Sequence, residues 1–272
     1  MRLIWAMAAA SVLGAGAAQA SELEIEDAAA RLVVIPEARR DVQVTVTPGR
    51  ARLPVLQVRR RGGDVEVNGD LRRRIEGCDG RGVNIRGVGR VPIADLPVIT
   101  ARVPLNVQVG AGGAVFGSIG RSNTLELSHA GCGELRAGNV AGELEVSSAG
   151  SGGVFVGASR SAEVSLAGSG DVRLGPVAGP LEASIAGSGD IYAESVAGAV
   201  EASIAGSGDV VVNAGRTGPV SASIVGSGDV RIGGTASSVN ASVMGSGDVR
   251  VGQVTGAVRR NIAGSGDVVI GR

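Results

Sequence analysis

The 272-residue chain has no lysine, one histidine, two cysteines and only four aromatic residues, Trp5, Phe116, Phe155 and Tyr192. Without lysine, a phosphate-cradling nucleotide loop loses its cation, and the glycine-rich stretches here lack the strand-to-helix setting such a loop needs. His129 alone cannot make a histidine metal cluster, and no credible Ser-His-Asp set surrounds it. The aromatics are too few for a sugar-stacking platform, and Phe116 and Phe155 are expected near corners of the fold, with Tyr192 facing outward. A core must then come from Ala, Val, Ile and Leu, which makes it thin unless it is long.

Long apolar runs are also missing beyond the N-terminus. Met1–Ala20 reads MRLIWAMAAASVLGAGAAQA, with Arg2 ahead of an apolar run and Ala18-Gln19-Ala20 as a small-residue cleavage site. This pattern predicts a secretory signal peptide over residues 1–20 rather than a membrane span. The mature chain, 21–272, is expected to be a single domain in the periplasm or secreted, with no membrane span. An even cysteine count in an exported chain favours one disulfide, Cys78 with Cys132, closing a loop of 54 residues. The triplets Arg59-Arg60-Arg61 and Arg72-Arg73-Arg74 are interleaved with acids, so a solvated strand face is expected and nucleic acid is not a predicted partner.

What is abundant is glycine, 46 residues, and it recurs at a fixed period. LEASIAGSGD begins at Leu181, and EASIAGSGDV begins at Glu201. Aligning on GSGD puts Asp171, Asp190, Asp209, Asp229, Asp248 and Asp267 in one column, at spacings of 19, 19, 20, 19 and 19. Gly150-Ser151-Gly152-Gly153 and Gly131-Cys132-Gly133-Glu134 are weaker copies, and GAGG at Gly110–Gly113 is a further degenerate one. Within each copy apolar residues alternate with period two, the pattern of strands. Leu181, Ala183 and Ile185 point inward in this reading, as do Val172 and Leu174 after the turn.

A unit of about nineteen residues cannot bury its own apolar edge, but units stacked in register pair each strand with its equivalents above and below. The predicted fold is all-β: a parallel β-helix with about 19 residues per coil. Residues 110–272 form the regular array and residues 21–109 irregular first coils or a cap. A leucine-rich solenoid fails for want of an Asn column and a helical half. Arg260 takes a column otherwise held by alanine, so Arg259 and Arg260 are expected to close the far end and block edge pairing.

The serial GSGDV/GSGDI phrases, each preceded by ASI or VSL and separated by VAG-type corners, resemble the head GIN domain family of putative auto-transporter adhesins. The resemblance is specific over Glu134–Arg272 and extends toward Ser21. It implies a right-handed β-helix in an exported bacterial protein, with an adhesin label.

Six aspartates at coil spacing, near 4.8 Å, would repel their neighbours by about 0.9 kcal/mol in water. The expected relief is local: each carboxylate accepts backbone N–H bonds in an Asx turn, and Arg173, Arg231 and Arg250, two residues on, share its face. A calcium ladder is the weaker alternative, because known Gly-Asp β-rolls repeat every nine residues. His129 beside Glu134 suggests an acid/base pair, but a surface strand residue is the expectation. The chain is therefore expected to be a non-enzymatic, structural or adhesin-like binding protein without cofactors, whose Asp ladder (Asp171, Asp190, Asp209, Asp229, Asp248 and Asp267) forms part of a multivalent surface. Its expected partners are envelope polysaccharide, a surface protein, or a second copy through a β-helix end. The alternative is a polysaccharide-active β-helix lyase or hydrolase.

Overall fold

The alternation of small and branched apolar residues with polar ones builds coil upon coil of strand. A computed structural model describes residues 21–271, and the expected signal peptide lies outside the described residues. The architecture is a β-solenoid of about nine coils with roughly 19 residues per turn, and no α-helix occurs among the described residues.

Successive coils stack as parallel strands in strict register. Leu181, Ala183 and Ile185 lie on Val200, Ala202 and Ile204, and these on Val220, Ala222 and Ile224; all are buried. On the second side Val172, Ile191, Val210, Val230, Val249 and Val268 form one buried column. A single apolar cluster runs the length of the solenoid. Its narrow bore is filled by Ala opposite Val, Ile and Leu, so no aromatic ring is needed.

The N-terminal region caps the stack, and it does so out of sequence order. Glu22–Pro36 pairs on one edge with Asn106–Ile119 and on the other with Asp64–Asn68 and Val98–Val103. The first strand is thus the second layer, covered by a coil that comes later in the chain. Beyond that coil the parallel pattern stops. Gln43–Thr47 lies antiparallel on Val98–Val103, and Gln57–Arg61 lies antiparallel on Asp64–Asn68. Arg59, Arg60 and Arg61 are exposed on the outermost strand, where charge opposes edge-to-edge pairing.

A three-stranded antiparallel sheet, Ile75–Asp79, Gly82–Ile85 and Gly89–Pro92, projects from the cap and builds a second small core. There Leu71, Val83 and Ile85 pack against Ala29, Ala114 and Phe116 of the solenoid wall. The Cys78–Cys132 disulfide ties this sheet to the wall. Arg72–Arg74 is a short 3₁₀ turn leading into it. At the opposite end, Val258, Ile262 and Ile270 of the last described coil are half-buried. Arg260 pairs with Ala241 as expected, and its Nη1 reaches across the coil to within 3.5 Å of the Val268 carbonyl.

Because the bridge closes a loop of 54 residues, a Cys78→Ser protein is expected to lose about 3 to 4 kcal/mol on the loop-entropy model. Chemical denaturation of the oxidised wild type beside the variant measures this, and equal midpoints would show that the small sheet docks without the bridge.

Candidate functional site: the aspartate ladder and the columns around it

Each GSGD corner is shaped by contact with the corner beneath it. Gly187 has φ +141°, and a Cβ there would meet the Gly168 carbonyl oxygen at 2.2 Å; one at Gly189 would meet that of Gly170 at 1.9 Å. Both positions therefore require glycine. The serine between them points outward and is exposed.

The aspartate that follows completes the hydrogen bonding of the stack. The amide N–H of Asp190 donates to Oδ1 of Asp171 at 3.2 Å. Asp209 donates to Asp190 and Asp229 to Asp209, each at 2.8 Å. Asp248 donates to Asp229 and Asp267 to Asp248, each at 2.7 Å. The carboxylates of Asp171, Asp190, Asp209, Asp229 and Asp248 thus accept from the following coil, not from an Asx turn of their own, and Asp267 accepts from the adjacent Val268 N–H. The expected turn chemistry is corrected here by the stacking, which brings the next aspartate's amide within reach first.

Repulsion along the ladder is offset unevenly. Arg231 bridges Oδ2 of Asp209 at 2.6 Å and of Asp229 at 2.5 Å. Arg250 bridges Oδ2 of Asp229 at 3.1 Å and of Asp248 at 2.5 Å. The Asp209 carboxylate, followed by the other ladder acids, raises the pKa of Arg231. Asp229, at the centre, keeps 17% side-chain exposure, against 46% for Asp171. Arg173 approaches Asp171 only at 3.9 Å. Among the described residues Asp209, Asp229 and Asp248 therefore share two arginines, while Asp171 and Asp190 at one end and Asp267 at the other have no arginine fork across them.

His129 is not a surface residue. The period-two register of Leu125, Leu127 and His129 turns its side chain inward, onto the column of Ala111, Ser148 and Leu166, where it is 1% exposed. Its ring fills the space above Gly152, where a Cβ would lie 2.1 Å from Cε1. Neither ring nitrogen makes a well-aligned hydrogen bond, and burial lowers its pKa against a weaker opposing pull from the Cys132 backbone. Glu134 pairs instead with Arg136 at 2.7 Å, so the two do not form an acid/base pair.

Four further outward columns accompany the ladder. Glu126, Glu145, Glu163, Glu182 and Glu201 stack in register, and burial, then repulsion from Glu126 and Glu163, raises the pKa of Glu145. Beside them serine and alanine columns floor a shallow groove of about 630 Å3. On the next side Arg136, Phe155, Arg173 and Tyr192 occupy one column. That last grouping was not legible in sequence, because its two aromatics stand two coils apart and share no motif. Among the described residues no group of three His, Cys, Asp or Glu side chains is placed to hold a metal ion.

Geometry of this kind defines a repeat-surface β-solenoid, whose side chains are multiplied by stacking. Residues 177–271 match the family "Putative auto-transporter adhesin, head GIN domain". The match bears out the resemblance carried by the GSGD phrases, over a shorter span than those phrases cover, and it is adhesin-like in kind. Among solved structures, a putative adhesin from Bacteroides fragilis is similar at 14% identity and TM-score 0.45, covering 92% of this chain and 91% of that one. A putative adhesin from Parabacteroides distasonis is similar at 16% identity and TM-score 0.46, covering 91% of each chain. A putative lipid binding protein from the same organism is similar at 13% and 0.46, covering 92% of each. No curated protein matches the chain.

Removing the Asp229 carboxylate orphans the Asp248 amide and takes one of its two carboxylate partners from each of Arg231 and Arg250. Asp229→Ala is expected to cost about 1–3 kcal/mol, Asp229→Asn less because its carbonyl can still accept, and Asp171→Ala least. Urea titration of the three variants tests the order, and equal losses at Asp229 and Asp171 would contradict it. For His129, the folded state binds a proton less readily than the unfolded chain, whose imidazole titrates near 6.5. Its contribution to stability is thus complete above that pH and is lost as pH falls below it toward the lowered folded value. His129→Leu should flatten this part of the stability profile relative to wild type, as followed by thermal melts between pH 4 and 8.

Proposed function

We propose that this chain is an exported adhesin-like protein that presents a rigid, repeating surface to partners in the cell envelope or outside it. The observation carrying this reading is the register itself: equivalent side chains stand in straight columns, so a weak contact made by one coil is repeated by the next. Contacts linked in this way add through effective concentration rather than through one deep pocket. The adhesin-like family match over residues 177–271 supports the same class. Among the described residues no helix is long and apolar enough to cross a membrane.

Among the described residues the ladder carboxylates not bridged by an arginine fork are those of Asp171, Asp190 and, at the far end, Asp267, since Asp209, Asp229 and Asp248 are held by Arg231 and Arg250; Asp171 and Asp190 are the adjacent pair. Envelope polysaccharide and surface proteins are the partner classes. Binding rather than turnover is the chemistry we assign, because the carboxylates from Asp171 to Asp248 all accept a backbone amide of the next coil. No one of them is set apart as an acid or base.

A glycan array combined with a lyase and hydrolase screen on the oxidised protein tests this. Capture without turnover is expected, weakening stepwise for Asp171→Asn and then Asp171→Asn with Asp190→Asn, whereas Asp248→Asn alters stability and leaves capture intact. Turnover abolished by a single carboxylate substitution would replace this reading with the enzyme.

A further inference from the structure

The column Arg136, Phe155, Arg173 and Tyr192 breaks the repeat that surrounds it. Farther along, the same column continues as Val211, Arg231 and Arg250, and those arginines are bound to ladder carboxylates. Here the arginines are held differently. Arg136 stacks over the Phe155 ring with Cζ 4.3 Å from its centroid, and Arg173 lies on the same ring at 5.7 Å. Cation–π contact orients the guanidinium groups while leaving donors unused. Among the described residues Arg136 hydrogen-bonds only through Nε, to Glu134, and Arg173 meets Asp171 only at 3.9 Å.

The ground around the column is open. The ladder position next to Phe155 is Gly153, and Gly157 and Gly175 lie on the other flank. They leave a shallow depression of about 600 Å3 reached by Arg136, Phe155, Arg173, Tyr192, Glu194 and Asn213. A second depression of about 300 Å3 lies on the ladder side, bounded by Asp171, Arg173, Asp190 and Tyr192. Arg173 and Tyr192 border both, so the two form one strip astride the column.

We propose that this strip is a binding site for an uncharged oligosaccharide chain lying along the solenoid axis. The assignment rests on the binding-protein reading above and names its ligand class and site. Guanidinium donors, carboxylate acceptors at Asp171, Asp190 and Glu194, and the amide of Asn213 together suit hydroxyl groups, which both donate and accept. Tyr192 supplies a half-exposed ring against which a sugar face can lie, and its hydroxyl adds a polar tip. The acids around the strip outnumber its two arginines, so it has no cationic excess to attract a polyanion. Polar groups recur at coil steps of about 4.8 Å, which favours an extended polymer over a compact ligand.

Affinity electrophoresis of the full chain in gels containing dextran, xylan, glucomannan or polygalacturonate tests the assignment. At least one of the three neutral polymers is expected to retard the protein. Tyr192→Ala and Arg173→Ala should each weaken that retardation at least tenfold at an unchanged melting temperature, while Glu182→Gln, on another column, leaves it intact. No retardation by any neutral polymer, or retardation by polygalacturonate alone, would overturn the site. Retardation that survives Tyr192→Ala but yields to Glu182→Gln would also overturn it and leave the adhesin reading standing. Failure of that reading is separate, and would appear as turnover in the enzyme screen.

Discussion

Parallel, in-register stacking of the coils is the constraint on which every other feature depends. A parallel ladder satisfies backbone amides and carbonyls only where strand faces strand, and at each corner the chain must turn without losing those bonds. The GSGD phrase meets that requirement twice over. Its glycines let one corner settle onto the carbonyl of the corner below, as at Gly189 over Gly170. Its aspartate side chain then accepts the amide that the turn would otherwise leave without a partner. A carboxylate in that place is a stronger acceptor than a neutral group, and its charge is the unavoidable companion of that strength.

The placement of arginine follows from the same geometry. Where coils carry Arg231 and Arg250, each guanidinium fork spans two consecutive aspartates, and the ladder is knitted together. Where coils carry Phe155 and Tyr192, no fork spans the carboxylates, and the surface is open. Arginine-bridged and open coils are thereby separated along one axis, and the bridged coils give the open ones a rigid support.

The ends of the solenoid show how stacking is stopped. On the N-terminal side, strands turn antiparallel and carry three exposed arginines on the outermost edge. At the last described coil, Arg260 takes the place of an inward alanine and reaches toward the Val268 carbonyl. Both arrangements oppose continuation of the sheet by another chain. The small disulfide-bonded sheet serves another purpose, covering apolar wall around Ala29, Ala114 and Phe116 that the solenoid itself leaves outside its bore.

The fold was legible in the sequence because repetition is a property of order along the chain: period-two alternation, a nineteen-residue unit and paired cysteines all follow from reading residues in line. The same columns that identified the core as Leu181, Ala183 and Ile185 would have placed His129 inward as well, and only the habit of treating a lone histidine as exposed concealed it. The threading of Glu22–Pro36 beneath residues 98–103, the donor to each ladder carboxylate, and the meeting of Phe155 with Arg136 and Arg173 were decided by tertiary structure alone. Each is a contact between residues a full coil or more apart, where chain connectivity imposes no preference and distance is set only once the backbone ladder has closed.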